Sequence, residues 1–115
     1  MPDRLITVAE TALFVRQAEA VWSDAERKEF VSYIAANPKA GDMIPETGGV
    51  RKVRWNRRGS GKRGGARVIH FYADPGRPLY LLMVYAKARK EDLSAEEKRT
   101  VRDLAFALKG RARAR

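Results

Sequence analysis

The sequence predicts an α+β domain with the element order β-α-α-β-β-β-α, a small antiparallel sheet with helices packed on it. Three observations carry this reading. Two capping boxes, Ser23 with Glu26 and Ser94 with Glu97, each open a stretch with apolar residues at helical spacing. Three runs, Val50 to Trp55, Ala66 to Tyr72 and Leu79 to Ala86, have strand character and are separated by connections rich in glycine or proline. With 115 residues and 44% hydrophobic content, the chain can build one modest core and not two. Residues 1–110 are therefore expected to form a single domain, followed by a basic tail over 111–115.

Taken in order, Leu5-Ile6-Thr7-Val8 is short and β-branched and reads as a first strand. A short helix is expected from Thr11 to Ala20, with Leu13, Phe14 and Ala18 inward. The helix opened by Ser23 and Glu26 places Phe30, Val31 and Ile34 on one face and ends before Asn37-Pro38. Gly41, Pro45, Gly48 and Gly49 mark an irregular connection. From Val50 to Trp55 the residues alternate, so Val53 and Trp55 seek the core while Lys52 and Arg54 share the opposite face. Arg57 to Gly65 is a basic, glycine-rich loop. Leu79 to Ala86 is almost wholly apolar, as a central strand buried on both faces should be, and Asp74 to Pro78 turns the chain into it. In the last helix Val101, Leu104, Ala105 and Leu108 form the inward stripe, and Gly110 stops it. Trp22, Trp55, Phe71 and Phe106 read as core aromatics, as do Tyr72, Tyr80 and Tyr85 with base stacking as their alternative.

Charge is unevenly distributed. Residues 1–46 carry net −3, residues 47–73 net +8 and residues 74–115 net +5, within an overall +10. The middle segment has no acidic residue, and a positive field gathered on one strand-loop-strand element points to nucleic acid as partner. Three readings stay open for the cluster: a solvated charge run, sequence-independent RNA binding, or catalysis of phosphoryl transfer on RNA. In the last, arginines stabilise phosphate oxygens bidentately and a lysine in a crowded basic site moves protons. His70 has an unperturbed pKa suited to proton transfer, but it alternates with Val68 and Tyr72 and also fits a packed core position.

Other classes are excluded. The lack of cysteine excludes a thiolate metal site, with a single histidine a zinc site would need carboxylates, and no metal or cofactor is expected. Gly59 to Gly64 has the letters of a dinucleotide fingerprint, but the following residues are strand-like where that chemistry needs a helix N-terminus. There is no signal-peptide pattern and no run near the ~20 apolar residues of a membrane span, so a soluble cytoplasmic protein is expected.

Several segments together resemble the HigB branch of the RelE/ParE toxin superfamily. They are Asn37 to Asp42, Thr47 to Arg54, Gly61 to Ile69, Leu82 to Lys87 and Asp92-Leu93-Ser94, in family order from about Leu5 to Leu108. The resemblance implies the RelE-like fold and a type II toxin, a ribosome-dependent mRNA endonuclease (mRNA interferase) cleaving message in the A site without metal. It also implies a helix-turn-helix, HigA-like antitoxin as partner, beside the ribosome and mRNA. In RelE-like members basic residues on the second strand, at the start of the third and after the fourth surround the scissile phosphate. The matching positions are Lys52 and Arg54, then Arg67, then Lys87. Arg51, Arg57, Arg58, Lys62, Arg63, Arg89 and Lys90 are the expected RNA-gripping residues. Some relatives carry a tyrosine before the last helix. This chain has Glu91-Asp92-Leu93-Ser94 there, and the general base stays open among Lys52, Lys87 and His70. A ParE-like gyrase inhibitor and a non-catalytic RNA-binding module are the alternative functions.

Overall fold

A computed structural model describes residues 6–55, 65–90 and 92–110. Its elements are β1 (Val8–Glu10), α1 (Ala12–Val21), α2 (Asp24–Ala36), β2 (Asp42–Met43), β3 (Val50–Trp55), β4 (Ala66–Phe71), β5 (Leu79–Ala86) and α3 (Ala95–Gly110). The five strands form one sheet in the order β1-β5-β4-β3-β2. Residues 57–64 of the basic loop expected from Arg57 to Gly65 and the tail over 111–115 lie outside the described residues, as does Leu5. Among the described residues, no helix is long and apolar enough to cross a membrane.

The three consecutive strands β3, β4 and β5 pair antiparallel, as the alternation predicts. The sheet is nevertheless mixed, because β1 lies parallel to β5 with Val8 opposite Leu79. The reason is topological. Two helices intervene before the chain enters the far edge at β2, and β5 then returns beside β1 in the same direction. The first strand also sits later than its apolar run indicates. Its ladder is set by Leu79 N–H donating to Thr7 O (2.9 Å) and Thr11 N–H to Leu81 O (3.2 Å).

Thr11 fastens α1 twice: its hydroxyl oxygen accepts from Phe14 N–H, and the hydroxyl donates to Leu81 O at 2.8 Å. Beyond β1, the edge of β5 is met by a side chain: Val84 N–H donates to Gln17 Oε1 at 3.0 Å. Both bonds of the Ser23/Glu26 capping box form. Phe14, Ala18, Trp22, Phe30 and Ile34 then cover one sheet face, meeting Val53, Val68, Leu81 and Val84. Trp22 stacks on Phe30 at 5.4 Å between ring centres, and Trp55 meets Phe30 edge-on at 5.2 Å.

The connection after α2 is more ordered than its glycines and proline indicate. Asp42 and Met43 pair with Lys52 and Arg51 as an edge strand. Gly41 permits this at φ +94°, where an added Cβ would sit 2.4 Å from Lys52 O. Buried Thr47 closes the turn: its hydroxyl donates to Ile44 O (2.6 Å) and accepts from Val50 N–H (3.2 Å).

The opposite sheet face is covered by α3, with Val50, Ile69, Phe71, Leu82 and Met83 against Leu93, Val101 and Ala105. A bulge between Ile69 and His70 lets Leu82 and Met83 both face α3. The inward stripe of α3 is narrower than predicted. Val101 and Ala105 are buried, but Leu104 is 38% exposed and Phe106, expected in the core, is 79% exposed. Phe106 follows buried Ala105 by one residue, and that step turns it about 100° away from the sheet.

Candidate functional site

Beyond the N-terminal end of α3, the sheet face it covers becomes polar. Val50 is buried, and two and four residues further on the same side of β3 come Lys52 and Arg54. Strand register places Arg67 of β4 directly opposite Arg54, and Tyr85 of β5 opposite Arg67. The adjacent row is Lys52, Ile69 and Met83. Like charges directly opposite on neighbouring strands are unfavourable. An anion held between Arg54 and Arg67 would offset that repulsion.

The two arginines differ in exposure. Arg54 is exposed, while Arg67 is only 4% exposed and reaches its neighbour Ala66 O with Nη1 at 3.4 Å. Lys52 is also well enclosed, with 17% of its side chain accessible, and makes an ion pair with Asp92 across forty residues of chain. An open cleft of about 360 Å³ lies beside them, lined by Asp42, Lys52, Arg54, Asp92, Leu93 and Lys98 among others. The Asp92 carboxyl is held below its ordinary range, first by the hydrogen bond from Lys52 and then by the charge of Lys52. Lys98 and Arg54 contribute further.

Lys90 reaches the same face from the other side. Its ammonium lies 5.0 Å from the centre of the Tyr85 ring and pairs with Glu97 of α3. That hydrogen bond, followed by one from the Ser94 backbone, keeps the Glu97 carboxyl below its usual value. Both bonds of the Ser94/Glu97 capping box form, so Glu97 fixes the helix start and Lys90 together. Lys87 is exposed in the turn after β5, and its backbone N–H donates to Gly65 O at 3.0 Å. That bond lies one rung beyond the Ala66–Ala86 pair, at the same end of the sheet as Arg54 and Arg67. Arg89, also exposed, borders a separate cleft with Gln17 and Val21.

Two predicted residues go elsewhere. Arg51 points to the α1/α2 side of β3, donates from Nη1 to Gly41 O at 3.0 Å and lines another cleft with Lys39, Arg77 and Lys109. His70 lies opposite Arg51 on that same side, away from Lys52, Arg54 and Arg67. It is fully buried, its Nε2–H donates to Ala40 O at 2.9 Å, and burial lowers its pKa to about 4, assisted by the Arg51 charge. The second strand alternation, continued through Val68, accounts for this: Val68 and His70 face the α1/α2 side, whereas Arg67 and Ile69 face the α3 side. His70 is thus a neutral packing residue in this arrangement. Arg57, Arg58, Lys62 and Arg63 lie outside the described residues.

Two cleft residues were not anticipated in the sequence reading. Lys98 precedes Val101 by three and Ala105 by seven residues, which puts it on the sheet-facing stripe of α3, and that spacing is a readable signal. Asp92 reads locally as a helix-dipole residue or a partner of Lys87 to Lys90. Its pairing with Lys52 is visible only once β3 and the segment before α3 are brought together. Among the described residues, no cluster of three His, Cys, Asp or Glu side chains could hold a metal ion.

Comparison with known proteins agrees with this fold. A solved structure of the E. coli toxin RelE, a double arginine-to-alanine mutant in the free state, matches with a TM-score of 0.58 at 12% sequence identity. The match covers 88% of this chain and 97% of that one, and at such identity the likeness is one of fold. The family whose model matches, over residues 7–115, is described as the RelE toxin of the RelE/RelB toxin–antitoxin system. With that match running through nearly the whole chain, the protein belongs to the RelE toxin family of toxin–antitoxin systems.

Proposed function

We propose that this toxin is a ribosome-dependent mRNA endonuclease of the HigB-like branch, acting in the cytoplasm on message in the A site. The observation that carries the reading is the Arg54–Arg67 cross-strand pair, of which Arg54, with Lys52, lines an open cleft. Such an array suits a phosphodiester whose negative charge grows as the reaction proceeds. The ribose 2′-oxygen attacks the adjacent phosphorus, the 2′-O–P bond forms, and the P–O5′ bond breaks. The products are a 2′,3′-cyclic phosphate and a 5′-hydroxyl. Arg54 and Arg67 stabilise the phosphate oxygens in the pentavalent state, with Arg67 held rigid by its burial. Lys52 and Lys87 are assigned to the two proton movements, removal from the 2′-hydroxyl and delivery to the departing 5′-oxygen. His70 takes no part, being neutral and buried on the other side of the sheet. Lys90, Arg89 and the basic residues between β3 and β4 grip RNA. A helix-turn-helix antitoxin of HigA type, acidic where it meets the cleft, is the neutralising partner.

Expression of wild type and Arg67→Ala, with message 5′ ends mapped by primer extension, tests this. New codon-aligned ends from wild type, absent from the variant, support it. Equal growth and no new ends from wild type overturn it, and DNA breaks with an SOS response but intact message favour gyrase poisoning.

A further inference from the structure

The cleft beside β3 contains more than the strand residues that the fold aligns. Lys52 and Arg54 come from the sheet, Lys98 from the first turns of α3, and Asp92 from the segment between β5 and α3. Lys52 lies directly opposite Asp42 in the β2–β3 ladder, yet the carboxylate it binds is that of Asp92. Neither Arg54 nor Lys98 makes an ion pair among the described residues, and both act on the Asp92 carboxyl through space. Three cations from two elements thus line one cleft with two carboxylates, Asp92 and Asp42, and Lys52 pairs with Asp92.

We propose that Lys52, Arg54 and Lys98 form a single phosphate subsite, occupied in the free protein by the Asp92 carboxylate. Asp92 is then an internal competitor for the RNA backbone, and Lys98 a substrate-contacting residue. The proposal rests on the endonuclease reading for its natural substrate, a phosphodiester, and on geometry for the subsite itself.

The exchange is physically balanced. A carboxylate and a phosphodiester each carry one negative charge, so replacing one with the other leaves the charge of the cleft unchanged. Asp92 has 72% of its side chain in solvent and can move into water at little cost, whereas enclosed Lys52 stays in place. Leu93, the next residue, is buried against the α3 side of the sheet, and Ser94 caps the helix through Glu97. Asp92 can therefore swing out without loosening α3. A stray phosphate must compete with Asp92 for Lys52, while an RNA making further contacts along Arg67 and Lys90 can displace it. The consequence is a toxin with weakened affinity for isolated backbone phosphates.

Titration of purified wild type, Asp92→Asn, Asp92→Glu and the double variant Asp92→Asn/Lys98→Gln with inorganic phosphate, followed by backbone amide NMR at low salt, tests the proposal. Amide spectra also show whether each variant is folded. Asp92→Asn should bind phosphate about threefold to fivefold more tightly, the scale of one largely exposed ion pair. Asp92→Glu keeps the competitor and should stay near wild type. Adding Lys98→Gln should reverse most of the gain. Equal affinity of wild type and Asp92→Asn overturns the competitor, and a double variant as tight as Asp92→Asn overturns the role of Lys98. The titration contains neither ribosome nor cleavable bond, so its failure is distinct from failure of the endonuclease reading, which message-end mapping alone decides.

Discussion

Between pH 7 and pH 5 this domain should lose about 2 kcal/mol of stability, and His70→Gln should remove most of that slope. His70 is fully buried and its pKa falls from 6.5 to about 4. The unfolded chain therefore binds a proton that the folded one refuses. The stabilisation is complete above pH 6.5 and drains as pH falls toward 4. At about 1.4 kcal/mol per unit, the full difference is about 3 kcal/mol, of which roughly 2 lies above pH 5. The carboxyls of Asp92 and Glu97 are held below ordinary values of 3.8 and 4.5, so their own losses fall beneath this window. Urea unfolding of both proteins at half-unit steps measures the slope. Glutamine offers an amide N–H toward Ala40 O but no titrating ring. Parallel stability curves for the two proteins from pH 7 to 5 would refute the buried, neutral histidine. They would also reopen His70 as a proton carrier.

Other expectations follow from the same structure. Arg67→Lys keeps the charge but loses the planar fork, so message cleavage measured by primer extension should fall at least about tenfold; undiminished cleavage would remove Arg67 from the reaction. Gly41→Ala forces a Cβ to within 2.4 Å of Lys52 O at φ +94°, and urea unfolding should show a loss of at least about 1 kcal/mol. Val101→Ala opens space under α3 and should cost about 2 kcal/mol, while Phe106→Ser, at a position 79% exposed, should stay within about 0.5 kcal/mol. A large effect at Phe106 would mean that something in the assayed sample covers it.

The helices were legible because their signals are local. Ser23 with Glu26, and Ser94 with Glu97, satisfy backbone groups three residues apart, and no distant contact is needed to form them. The alternation through Val50, Lys52 and Arg54 likewise reveals which residues share a face, since a strand reverses its side chains at every step. What periodicity cannot supply is the partner across the sheet or the depth of burial. Phe106 has core chemistry yet is exposed, because α3 meets the sheet along the stripe of Val101, Ala105 and Leu108. The parallel β1–β5 pair, the edge strand at Asp42–Met43 and the bulge at Ile69/His70 all arise from how distant segments return to one another. The candidate site divides along the same line. By itself the sequence determined a basic, cysteine-free α+β chain with Lys52 and Arg54 on one face of a strand. Only the tertiary structure decided that Arg67 stands opposite Arg54, that His70 is fully buried, and that Asp92 and Lys98 enter the cleft. Local hydrogen bonding and residue alternation act over a few positions of the chain, whereas an electrostatic site forms wherever the fold brings charges together in space.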